Sequence, residues 1–268
     1  MTTFLRASLL LTLTLLIIGC GGGRGTSDGV LTVETMEEPS RSGDGATNRF
    51  PHVRHPLTVS IADAINGDLF SQVFDAEWSE GMSISDAIPS TNDAGIPPIG
   101  DLSYRVVENN ERLLSLAISG EGCGAYCEPF TLHLNYDAAT GRRIHLTELF
   151  TEAGAALLSD SVASWKRKEI TDFLKETRQE SGSARDDDEY IEEMIAMYEG
   201  CLSMLDEYEE DFAYTDFAID RGAITIYLPR CSNHAMRALD ELGDFSYRID
   251  FRRWKHDLTP YGKKVLGV

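Results

Sequence analysis

Hydrophobic and polar residues alternate with period two over much of this chain and follow the 3.6-residue helical period in its middle. Tyr104-Arg-Val-Val107 and residues 113–118 flank Glu108-Asn-Asn-Glu111, which predicts a β-hairpin with Leu114, Leu116 and Ile118 on one face. Phe130, Leu132, Leu134 and Tyr136 alternate strictly. Asp137-Ala-Ala-Thr-Gly141 then reads as a turn, with residues 142–146 returning as a strand. Leu158, Val162, Trp165, Ile170 and Phe173 mark a helix with Thr151 as N-cap. A second helix carries Ile191, Met194, Tyr198, Cys201 and Leu205 on one side. Strands return at 217–219 and 223–228 around Asp220-Arg-Gly222, then in the alternation Phe245, Tyr247, Ile249, Phe251, with a short helix between them ended by Gly243. Hairpins before and after two central helices predict an α+β class with an antiparallel β-sheet. Upstream the pattern weakens. Leu57-Thr-Val-Ser-Ile61 alternates and predicts a strand, and residues 87–100, with Pro89, Pro97 and Pro98, predict a loop.

The N-terminus has a different pattern. An apolar run over residues 9–18 follows Arg6, too short to span a bilayer and shaped like a secretory signal. It ends in Leu16-Ile-Ile-Gly-Cys20, which resembles the bacterial lipobox. That resemblance implies cleavage before Cys20 and acylation of it by diacylglycerol and palmitate-like chains, a far firmer anchor than one chain gives. The expected organisation is a lipoprotein signal peptide over 1–19, a lipid-anchored flexible tether over 20–48, rich in Gly, Ser, Asp and Glu, and a single α+β domain over 49–268. Gly21 stands where an Asp retains lipoproteins in the inner membrane, so the expected place is the cell envelope, at the outer membrane facing the periplasm in a Gram-negative cell.

Charge narrows the partners. The chain has 268 residues, 24 basic and 44 acidic side chains, and a net charge of −20. Loss of Arg6 with the signal leaves 23 basic against 44 acidic, a mature charge of −21. Phosphate backbones repel such a surface, which argues against nucleic acid. The density peaks over residues 172–220, with 17 acidic and three basic side chains. Asp186, Asp187, Asp188, Glu189, Glu192 and Glu193 open the second helix, where acids suit the positive helix end, and form a candidate binding patch for a basic protein.

Four cysteines remain after Cys20. An even number in an exported chain predicts two disulfides with three connectivities, of which spacing favours Cys123–Cys127 and Cys201–Cys231. Cys123-x-x-x-Cys127 lacks the two-residue spacing of thioredoxin-type motifs.

The run Leu114-Ser-Leu-Ala-Ile118, a Gly-rich loop, Asn135-Tyr-Asp137, Thr140-Gly141, Leu146-Thr-Glu-Leu-Phe150 and Ala223-Ile-Thr-Ile-Tyr-Leu-Pro229 form a pattern over residues 100–251. It resembles the domain-of-unknown-function family in the C-terminal half of RsiV-type anti-sigma factors. The resemblance implies an extracytoplasmic, non-catalytic domain, part of a sensor that recognises lysozyme in those factors. Cys123 and Cys127 stand where that family's loop has Gly and His, so the fold carries over and the ligand does not.

Catalytic motifs are absent: no G-x-S-x-G, H-E-x-x-H or Walker phosphate loop occurs, and no cofactor is expected. A pairing of 136 with 142 across the turn would set His133 opposite His145 as two ligands of a metal. The reading is a lipid-anchored, non-catalytic envelope protein that binds a cationic, lysozyme-like partner. Its alternatives are a cell-wall polymer-acting enzyme, with Asp137 and Glu148 as the carboxylate pair, and a structural envelope component.

Overall fold

The computed structural model describes residues 30–40, 45–88, 98–124, 126–180, 188–207 and 215–268. Strands β1 (Thr32–Pro39) and β2 (Thr47–Arg54) pair antiparallel as a two-stranded ribbon. Part of the stretch read as tether is therefore folded. Its acidic and threonine side chains suit the exposed face of such a ribbon, while Leu31, Phe50 and Val53 are buried. Helix α1 (Val59–Phe74) replaces the strand expected at Leu57–Ile61. Leu57 and Val59 are 74% and 70% exposed, and burial follows helical spacing through Ala62, Ile65, Leu69 and Val73. The one-turn helix α2 (Ile84–Ala87) closes this segment.

Three long strands follow in the order β3 (Ile99–Asn109), β4 (Leu113–Cys123), β5 (Cys127–Asp137), all antiparallel. This is the expected meander. Leu114, Leu116 and Ile118 join Ile65, Leu69, Phe70 and Phe50 in a first core. Asn66 of α1 locks β2 beneath it, accepting from Val53 N at 2.9 Å and donating to Val53 O at 2.9 Å. The turn after β5 fits tightly, because a Cβ on Gly141 (φ 73°) would lie 2.5 Å from Ile61 O.

The return strand after that turn shrinks to a single bridge, Tyr136 with Arg143. Glu148 reaches back to His145 N at 2.9 Å, and the chain enters the one-turn helix α3 (Leu146–Leu149). Helix α4 (Glu152–Glu180) starts at Thr151, whose hydroxyl accepts from Gly154 N at 3.1 Å. With α5 (Asp188–Glu207) it covers one face of a second antiparallel sheet, β6 (Asp216–Asp220), β7 (Ala223–Leu228), β8 (Phe245–Asp250). Leu158, Val162, Ile170, Met194 and Tyr198 meet Phe217, Ile224, Ile226 and Ile249 in a second core. A 3₁₀ helix (His234–Leu239) stands where the short helix was expected, and α6 (Pro260–Leu266) ends the chain. The class is α+β with antiparallel sheets, as the periodicities imply.

The two sheets meet through polar groups. β6 is the edge of its sheet and lies on the face of β4 and β5 that carries Ser115, His133 and Asn135. Asn135 Nδ2 donates to Phe217 O at 2.6 Å, and Ile219 N donates to Ser115 Oγ at 3.4 Å. Side chains thus satisfy an edge that would otherwise leave backbone groups unpaired.

Candidate functional site

Of the sequence-predicted residues, Cys20, Asp186 and Asp187 lie outside the described residues, and Asp188 begins α5. Glu189, Glu192 and Glu193 are exposed on the opening turns of that helix. Both favoured disulfides are formed. Cys123–Cys127 clips the turn end of the β4–β5 hairpin, and Cys201–Cys231 ties α5 to the segment after β7.

His133 and His145 do not form the expected pair. The bridge joins 136 to 143 rather than 142, and a one-residue slip sends every later side chain to the other face. His145 is exposed and occupies the capping position of α3. His133 is only 9% exposed, because β6 covers the face that alternation marks as polar. Asp137 accepts from Ala139 N at 2.9 Å within the turn, and Glu148 is held by Arg142 and His145 N, so both carboxylates are engaged in local structure.

What His133 does contact builds a cleft of about 640 Å³ between β5, β7 and the 3₁₀ helix. Its backbone N donates to Asp216 Oδ1 at 3.0 Å, and its Nδ1 meets Oδ2 of the same carboxylate at 2.7 Å. A carboxylate accepts only, so the ring proton sits on Nδ1. The imidazole stacks on Tyr227 with centroids 3.9 Å apart and planes 2° from parallel. Asp216 and Tyr227 face each other across the β6–β7 pair, so the hairpin itself delivers both to His133. Burial raises the Tyr227 phenol above its ordinary pKa, with Arg105 opposing and Asp216 adding to the rise.

β7 stops at Leu228 because Pro229 has no N–H for the ladder. Pro229 O accepts from Lys166 Nζ at 3.1 Å, and that ammonium lies 5.1 Å from the Phe245 ring centroid. The next residue, Arg230, projects as a fork onto Asp244, Nε to Oδ1 at 3.1 Å and Nη2 to Oδ2 at 3.0 Å. That bond to Asp244, against some burial, raises the guanidinium pKa further.

The far wall is the 3₁₀ helix, pinned to one face of α5. Tyr190 donates to Ala238 O at 2.9 Å, Tyr198 donates to Asp240 Oδ1 at 2.7 Å, and Cys201 bonds Cys231. Towards β5, His234 stacks on Tyr126 at 3.5 Å and meets Glu128 Oε1 at 2.6 Å. The wall presents Arg237 to the cleft.

His133, the Cys201–Cys231 pair and, within the run Ala223–Pro229, Tyr227 are singled out by the sequence. Asp216, Arg230 and Arg237 sit on separate strands and turns and form no local motif. The available signal was the alternation of β7, which puts Thr225 and Tyr227 opposite the core-facing Ile224, Ile226 and Leu228.

No family model and no curated protein matches the chain. Solved structures do. A DUF3298 family member from Bacteroides fragilis NCTC 9343 is 16% identical, with a TM-score of 0.53 over 89% of this chain and 97% of its own. A DUF3298 family protein from Pseudomonas aeruginosa PAO1 is 12% identical, with a TM-score of 0.42 over 86% and 94%. The first likeness shows that this chain shares the fold of a protein from DUF3298, a domain of unknown function.

Proposed function

We propose that this protein is a lipid-anchored component of the cell envelope whose folded domain works by binding, and that its partner is a cationic protein of the lysozyme kind, docking on the acidic opening of α5. The observation that carries the reading is the exposure of Glu189, Glu192 and Glu193 on the opening turns of one helix in a molecule of net charge −20. Such a field speeds encounter with a basic partner and orients it. The resemblance to the domain of RsiV-type anti-sigma factors supports a binding rather than a catalytic role for the domain. The lipobox-like Leu16-Ile-Ile-Gly-Cys20 supports the anchor.

The test uses the mature chain with Cys20→Ser, captured against immobilised lysozyme at about 50 mM and about 500 mM salt, over which the Debye length falls about threefold. Binding that persists at high salt and is lost in the Glu189→Gln, Glu192→Gln, Glu193→Gln triple variant is the expected result. Binding only at low salt, or none at either, overturns the specific partner.

A further inference from the structure

We propose that the cleft between β5, β7 and the 3₁₀ helix is a second binding site, for a carboxylate-bearing small molecule with an apolar or aromatic body. The carboxylate sits on Arg237, and the body lies over Phe130 and Tyr227. This site is separate from the acidic face of α5 and does not depend on the lipid anchor.

Most charges in the cleft are already committed. Arg230 spends its fork on Asp244, and Asp216 takes both the ring and the backbone N–H of His133. Arg237 is different. Its Nε is buried with no hydrogen-bond partner, and its ion pair with Glu128 is a long one, Nη2 to Oε1 at 3.6 Å, without a hydrogen bond. That oxygen already meets His234 at 2.6 Å. A guanidinium carries five donors in a planar array that matches a carboxylate bidentately; the idle Nε is closed to solvent, but the Arg237 side chain lines the cleft and is 36% exposed, so its outer nitrogens are the ones a carboxylate would meet.

Size and lining select the rest of the ligand. About 640 Å³ lies within the range of small-molecule sites. Pro129, Phe130, Leu228 and the Tyr227 ring, backed by His133, give an apolar surface with one flat aromatic face. Aromatic bodies stack on such a face. Asp216 and Asp244 also line the cleft, so a single negative charge is tolerated beside Arg237 better than a doubly charged phosphate.

The probe is N-acetyl-phenylalanine, with N-acetyl-phenylalanine amide as its uncharged control, titrated into the isotopically labelled mature chain with Cys20→Ser and followed by amide shifts. The expected result is saturable shifts at Thr131, Tyr227 and Arg237 with a Kd of about 1 mM, the scale for a ligand this small. The amide should bind about tenfold more weakly, and Arg237→Gln should weaken the acid by a similar factor, with Arg237→Lys between them. The Arg237 variants count when their spectra match the unliganded wild type away from the cleft. If Arg237→Gln unfolds, the acid-against-amide comparison on the wild type and Phe130→Ala carry the test. Equal binding of acid and amide, shifts confined to other surfaces, or no shift at about 10 mM probe would each overturn the proposal.

Discussion

At the scale of single residues, Asp240 concentrates the polar bonding that fixes one wall of the cleft. It accepts from Tyr198 Oη at 2.7 Å, Ser232 Oγ at 2.6 Å and Gly243 N at 3.0 Å. Burial disfavours its charge, yet these hydrogen bonds outweigh burial and hold the carboxyl below its ordinary pKa. The folded state therefore prefers the ionised form more strongly than the unfolded chain does. The stabilisation is complete above the ordinary carboxylate pKa of about 3.9 and is lost as pH falls through the lower folded value. Asp240→Asn should cost about 1 kcal/mol at neutral pH, allowing for solvent screening of a partly exposed group. The same variant should flatten the loss of stability between about pH 5 and pH 2. Urea unfolding across that range reads both, and parallel acid limbs in wild type and variant would refute the assignment. His133 shows the limit of the sequence at this scale. Its place opposite Leu132 and Leu134 was legible from alternation, but nothing local announces that a second sheet covers that face.

At the scale of elements, legibility followed how local the determinants are. The β3–β4 and β6–β7 hairpins were readable because alternation and turn chemistry sit within a few residues, as in Arg221 and Gly222, which both take positive φ. Leu57–Ile61 misled because five alternating residues also fit the exposed start of a helix, and only the longer spacing Ala62, Ile65, Leu69 decides between them. The candidate site was largely illegible for the opposite reason, since its walls come from β5, β6, β7 and the 3₁₀ helix, which only the tertiary fold brings together. The disulfides divide along the same line. Cys201–Cys231 closes a loop of about thirty residues between a helix and the far wall, while Cys123–Cys127 closes a four-residue separation at a hairpin end. Loop-closure entropy assigns the first about 3–4 kcal/mol and the second about 2 kcal/mol. Cys201→Ser with Cys231→Ser should therefore lower the urea midpoint more than Cys123→Ser with Cys127→Ser, and equal losses would mean that packing rather than loop closure sets the effect.

At the scale of the whole molecule, the start of the fold bears on the anchor. β1 begins at Thr32 and Leu31 is already buried, so the described fold begins well inside the stretch read as tether over residues 20–48. If Cys20 carries lipid, the eleven steps to Leu31 reach at most about 36–40 Å even when fully extended. On the proposed reading that distance keeps the domain close to the bilayer. Among the described residues no helix is long and apolar enough to cross a membrane; on the proposed reading the acyl chains supply the attachment. The charge of the mature chain works in the same sense, because an acidic body is repelled by anionic headgroups and gains nothing from them. The expected outcome is therefore all-or-none with respect to one atom, the Cys20 sulfur. Expressed in an exporting bacterium, the full chain should enter the detergent phase on Triton X-114 partition, and the Cys20→Ser chain started at position 20, which lacks the apolar run over 9–18, should partition entirely to the aqueous phase with an unchanged unfolding midpoint. A full chain found in the aqueous phase would refute the anchor. A Cys20→Ser chain that stays in the detergent phase would place the attachment on the folded domain instead, where the exposed Leu57 and Val59 would be the first residues to replace.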